Sequence, residues 1–148
     1  MSLLTKTLLF VVIILVFSCV SKKSTNKLLD FFEMFSYEYE DISAVLVLTE
    51  EGCPTCNRSF ASLIENYINN PKAVCIVSAK GNKVDLSNFI DADQIILDMD
   101  NIFSKQHLTK GTASIFLTPS GLIDTVVEIN AQSLKQDLDY ISKRLKEH

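Results

Sequence analysis

The chain has 148 residues, of which 47% are hydrophobic and 22% charged, which suits one folded domain with a sizeable core and excludes global disorder. Lys and Arg number 14 against 18 Asp and Glu, a net charge of −4, and no basic stripe extends beyond Lys22–Lys23 and the C-terminal segment. Nucleic-acid binding therefore has no electrostatic footing, and the lack of any glycine-rich loop removes phosphate-cradling motifs.

In chain order, Lys6 supplies a short positive segment, and Leu8 to Phe17 is an unbroken apolar run. That run is about half of the ~20 residues a membrane span needs and suits the apolar core of a signal peptide. Val16-Phe17-Ser18-Cys19 resembles the lipobox of bacterial lipoproteins. The resemblance implies a signal peptide over 1–18, a lipid on Cys19 and attachment to the membrane of the bacterial cell envelope. A plain cleaved signal or an uncleaved anchor are the alternatives. Polar Ser21 to Asn26 reads as part of a tether over 19–27, leaving a domain over 28–148. Lys22 and Lys23 argue against an acidic surface-export tag, so a periplasm-facing address is expected. Export also places the domain where disulfides persist.

Leu28, Phe31, Phe32 and Phe35 recur at helical spacing and predict a helix from about Asn26 to Tyr37. Ala44 to Leu48 is a short, wholly apolar run, the pattern of a strand buried on both faces. Glu50-Glu51-Gly52 breaks it, and Cys53-Pro54-Thr55-Cys56 follows. Phe60, Leu63, Ile64, Tyr67 and Ile68 then form one stripe of an amphipathic helix, which Asn69-Asn70-Pro71 ends.

Ala73 to Val77 predicts a second buried strand, and Leu86, Phe89 and Ile90 a short helix. Ile95 to Leu97 fits an edge strand or extended connection, and Ile102 to Leu108 has helical spacing. Ser114–Leu117 and Leu122–Ile129, joined through Pro119-Ser120-Gly121, read as a hairpin. Asn130 is positioned to cap a last helix with apolar Ala131, Leu134, Leu138, Ile141 and Leu145. Alternating β and α elements followed by a hairpin and a helix give an α/β class: a central mixed sheet of four to five strands with helices on both faces.

The chemistry concentrates at Cys53 and Cys56. A cysteine at a helix start meets unpaired backbone N–H groups and the positive end of the macrodipole. Such motifs have pKa values of roughly 3.5 to 7.5 against about 8.5 for a free thiol, which makes Cys53 the expected nucleophilic thiolate. Pro54 suits the first helical turn. Cys56 shares the apolar stripe with Phe60 and is expected to be more buried, resolving the mixed disulfide that Cys53 forms. Half of a zinc site is an alternative reading, but the remaining candidates, Cys75, His107 and His148, lack ligand spacing, so no metal is expected. A purely structural disulfide is a further alternative, although so short a loop adds little stability.

From Ala44 onward the chain resembles the thioredoxin superfamily, in the style of membrane-tethered TlpA and ResA-type members and of Bacteroidetes lipoproteins. The motifs are Val45-Leu46-Val47-Leu48 leading into Glu51-Gly52-Cys53-Pro54-Thr55-Cys56, and Gly111-Thr112-Ala113-Ser114-Ile115-Phe116-Leu117-Thr118-Pro119-Ser120-Gly121-Leu122-Ile123. The resemblance implies a thioredoxin-like fold and thiol–disulfide exchange by the Cys53/Cys56 pair, without a cofactor. Protein thiols and disulfides are then the partners. Thr112 and Ala113 form the loop that docks substrate, and Pro54, Thr55, Arg58 and Glu51 tune the pair.

Three positions depart from that pattern. Ala113 stands at the family's cis-proline, where a trans peptide is expected because a non-proline cis bond costs ~2.5–4 kcal/mol. Gly52 replaces an aromatic residue, and Val47 falls near a family position that holds a buried acid. Glu50 and Glu51, as nearby anions, would oppose a Cys53 thiolate, with Arg58 offsetting part of that. These departures keep open a binding or adaptor module with weak or no redox activity.

Overall fold

A computed structural model describes residues 22–79, 89 and 93–147. The expected signal segment over 1–18, the expected lipidation site Cys19 and most of the expected short helix around Leu86 and Ile90 lie outside those residues. Among the described residues no helix is long and apolar enough to cross a membrane.

Helix α1 spans 22–34 and leads to β1 (Ala44–Thr49), α2 (Pro54–Tyr67) and β2 (Ala73–Ser78). Then come β3 (Ile95–Leu97), α3 (Ile102–Lys105), β4 (Ala113–Leu117), β5 (Ile123–Glu128) and α4 (Leu134–Glu147). The five strands form one mixed sheet in the order β3-β2-β1-β4-β5. β1, β2 and β3 run parallel, while β4 is antiparallel to both β1 and β5. The fold class and the hairpin are as expected, and Ile95–Leu97 is an edge strand.

The alternation of side chains along a strand divides the core into two layers. Ala44, Leu46 and Leu48 of β1 pack with Phe60 and Ile64 of α2 and Ile141 and Leu145 of α4. Val45 and Val47 point the other way, toward Leu28, Phe31 and Phe32 of α1 and Phe103 of α3. Every residue of β1, β2 and β4 is buried, which is why they read as mainly apolar runs, with Thr49, Ser78 and Ser114 the buried polar exceptions. On β5 burial alternates, since one of its faces meets solvent.

The structure corrects the sequence reading in three places. α1 begins at 22 rather than Asn26, so two thirds of the stretch read as a tether over 19–27 is helix. Thr25 is buried and its hydroxyl accepts the Ile123 N–H at 3.0 Å, which fixes this end of α1 to β5. The helix expected over Ile102 to Leu108 stops at Lys105, because His107 takes the left-handed conformation with φ +54°. At the last helix, Asn130 accepts N–H groups of Gln132 and Ser133 in a turn that precedes α4, and Ala131 is exposed rather than buried.

Candidate functional site: the Cys53–Cys56 pair

The carboxyl end of β1, the central strand, delivers the chain into a tight turn at one end of the sheet. Gly52 makes that turn with φ +92°, a conformation costly for a residue with a side chain. Cys53, extended at φ −78° and ψ 117°, is the N-cap of α2, and Pro54 occupies its first turn. The Cys53 Sγ accepts the backbone N–H of Cys56 at 3.2 Å, using one of the donors a helix start leaves free. Cys53 and Cys56 form a disulfide with their Cα atoms 5.1 Å apart.

The two cysteines differ in burial. Cys53 is half-buried, whereas Cys56 is only 1% exposed, one helical turn before the core residue Phe60. A nucleophile at the rim with a covered partner beneath it is the order of access that disulfide exchange needs. Pro54, Thr55 and Arg58 are exposed on the first turns of α2, and Glu51 is exposed on the loop before it. Among the described residues no salt bridge joins Arg58 to Glu51. Val47 faces α1 and α3, so it lies on the opposite side of the sheet from α2 and Cys56.

The expected docking loop reaches this site through a polar residue that the apolar pattern concealed. Asn57, next to Cys56, is buried and donates to the carbonyls of Thr49 at 2.8 Å and Glu51 at 3.3 Å. Its carboxamide oxygen accepts the Thr112 hydroxyl at 2.7 Å, and that hydroxyl accepts the Thr49 N–H at 3.2 Å. One side chain thereby ties the end of β1, the turn before Cys53 and the loop before β4 together. Thr112 and Ala113 are both buried. Ala113 opens β4 opposite Val47 and Glu128, and its peptide bond is trans. Asn57 lies at i, i+3, i+7 with Phe60 and Ile64, so a polar residue on the buried stripe was the signal available in the sequence.

Beyond this pair the charged and nucleophilic groups are dispersed. Cys75 is a free thiol fully buried in β2, and burial pushes its pKa up to about 12. His107 is exposed on the turn after α3. Among the described residues no group of three or more His, Cys, Asp or Glu side chains is placed to hold a metal ion. Asp98, wholly buried at the end of β3, accepts the N–H groups of Ile102 and Phe103 at 2.8 Å and the Ser78 hydroxyl at 2.8 Å. It caps α3 and ties β2 to it, a structural task.

No protein-family model, curated protein or solved structure matches the chain.

Proposed function

We propose that this protein is a thiol–disulfide oxidoreductase of thioredoxin-like fold, with Cys53 as nucleophile and Cys56 as resolving thiol. The observation that carries the reading is a disulfide at the start of α2 with one cysteine half-buried and the other covered. In the reduced protein the N–H groups of the first turn favour a thiolate on Cys53. That thiolate attacks a substrate disulfide, a Cys53–substrate S–S bond forms, and the displaced substrate sulfur leaves as a thiolate and takes up a proton. Cys56 gives up its proton and attacks the Cys53 sulfur, which releases the second substrate sulfur and closes the Cys53–Cys56 disulfide. Two electrons pass to the substrate, and no cofactor is required. The same steps in reverse oxidise a dithiol.

The Thr112–Ala113 segment, buried and held beside the pair through Asn57, supports the turn that carries Cys53, against which substrate docks. Gly52 at φ +92° accounts for the missing aromatic residue, since a side chain there would be strained. A lipid on Cys19 and a periplasm-facing envelope address complete the proposal and rest on the sequence alone.

Reduction of a model protein disulfide tests it. The protein is expected to turn over, and Cys53→Ala to abolish turnover. Equal activity in Cys53→Ala would end the redox reading, and partner binding that survives this substitution without exchange would make the protein an adaptor. Equilibration with glutathione then fixes direction. A potential below about −250 mV indicates a reductase and one near about −120 mV an oxidant.

A further inference from the structure

The carboxyl ends of β1, β2 and β3 converge on one end of the sheet, the usual place for ligands in open α/β sheets. A cleft of about 710 Å³ opens there, between the turn before Cys53 and the segment from α3 to β4. Glu51 lines its near wall, and Asn101, Ser104, Lys105, His107 and Lys110 are among those that line the rest. Glu51 is two residues from Cys53, so the near wall lies within about 7 Å of the reactive position, measured along the chain. Gly111 completes the join, since a Cβ added to it would stand 4.0 Å from the Glu51 carbonyl.

The charges in this cleft run against those of the chain. The protein is acidic overall, with a net charge of −4, yet two lysines face one carboxylate here. Lys105 and Lys110 are exposed, and among the described residues neither ammonium enters a salt bridge. Three further acids border the cleft without lining it. Glu128 accepts the backbone N–H of Lys110 at 3.1 Å, and Asp98 is buried and committed to the Ile102 and Phe103 N–H groups and the Ser78 hydroxyl. Asp100 is exposed just before Asn101. Asn101, Ser104 and His107 add hydrogen-bonding groups suited to carboxylates and peptide groups.

We propose that this cleft receives an acidic stretch of the polypeptide whose disulfide Cys53 attacks, with Lys105 and Lys110 meeting its carboxylates. The part concerning Cys53 rests on the redox reading above; the cleft's preference for acid does not. Glu51 refines the specificity. It repels a carboxylate immediately beside the reacting sulfur, while an extended chain rising about 3.3 Å per residue carries carboxylates two to four residues away as far as the lysines.

Short fluorescent peptides separate the two claims. In the first set, serine replaces the reacting cysteine, and the third and fourth residues from it are acidic, amide or lysine. Anisotropy is expected to show the acidic peptide binding on the order of tenfold tighter than the lysine peptide at low salt, with the gap closing near 0.5 M salt. Lys105→Gln with Lys110→Gln is expected to erase the preference, and Lys105→Glu with Lys110→Glu to invert it. Equal affinities, or an unchanged preference in the charge-reversed protein, would overturn the assignment. A second set carries the same flanks on a disulfide. Exchange rates ranked like the affinities support the whole proposal. Binding preference without exchange upholds the cleft and removes the redox reading, whereas exchange at equal rates without binding preference does the reverse.

Discussion

Cys53 closes the turn from β1 into α2, half-buried and bonded to Cys56, whereas Cys75 lies inside β2 with none of its surface exposed. In the sheet Cys75 is flanked by Leu46 of β1 and Ile95 of β3, and its N–H is already committed to the Gln94 carbonyl at 2.8 Å. A strand interior spends its backbone donors on the ladder, so its side chains receive none. A helix start has donors to spare, and the Cys53 sulfur takes one from Cys56. The same functional group is thus made available for chemistry at one site and held as a neutral apolar filler at the other. Backbone donors and burial make the difference.

Substituting each cysteine in turn is the most severe test of that contrast. Cys53→Ser is expected to lower the disulfide-exchange rate on the order of a thousandfold or more, because the nucleophile is gone. Cys75→Ala is expected to leave the rate within about twofold and to act on stability alone. Stopped-flow exchange with a chromogenic disulfide reads both. Comparable losses at the two positions would dissolve the distinction.

Much of this contrast was legible in the sequence. β1 and β2 announced themselves as unbroken apolar runs, and Cys-x-x-Cys at a strand-to-helix junction named the site. The connections between elements were hidden because two buried polar residues make them. Thr25 shares a stripe with Leu28 and Phe32, and Asn57 with Phe60 and Ile64; each bonds to a distant segment, β5 for Thr25 and the 111–112 loop for Asn57. Spacing shows that such residues lie on the buried face and not which partner satisfies them. The early end of α3 was hidden for a similar reason, since the left-handed backbone at His107 is a local choice that apolar spacing does not record.

Asn57→Ala sharpens the comparison by loosening only the reactive end. It removes the donor to the Thr49 and Glu51 carbonyls and the acceptor for the Thr112 hydroxyl, leaving polar groups in a buried place. Urea unfolding is expected to show a loss of about 2–4 kcal/mol. Thr112→Ser keeps the hydroxyl and is expected to lose less than about 1 kcal/mol. If Asn57→Ala were no more costly than Thr112→Ser, the network would not be what joins the loop to the cysteine turn.

Alkaline titration probes the other cysteine. Burial raises the Cys75 pKa from 9.0 to about 12, so the unfolded chain releases this proton first as pH rises. Its favourable contribution is complete below pH ~9 and is lost as pH climbs toward ~12, at up to about 1.4 kcal/mol per pH unit for one proton. Tyr37 titrates in the same direction, raised by its own burial and then by its proximity to Cys75. The difference between the wild-type protein and Cys75→Ala reads the thiol together with the part of the Tyr37 shift that Cys75 causes. Stability of the variant is expected to decline less steeply between about pH 9 and 11. Parallel curves would mean that Cys75 meets water.

The smallest effect concerns the turn that sets Cys53 in place. Gly52 has φ +92°, and a Cβ added there would meet nothing within 4 Å, so Gly52→Ala introduces backbone strain without a clash. The expected cost is about 1 kcal/mol in urea unfolding, from the left-handed backbone alone. Because Cys53 follows directly, the strain also reaches the angle at which its sulfur meets the Cys56 N–H. Thiol alkylation of the reduced variant is therefore expected to slow by a small factor, while Cys75 stays protected. A stability loss with unchanged alkylation would show that α2, rather than the turn, holds the sulfur in position.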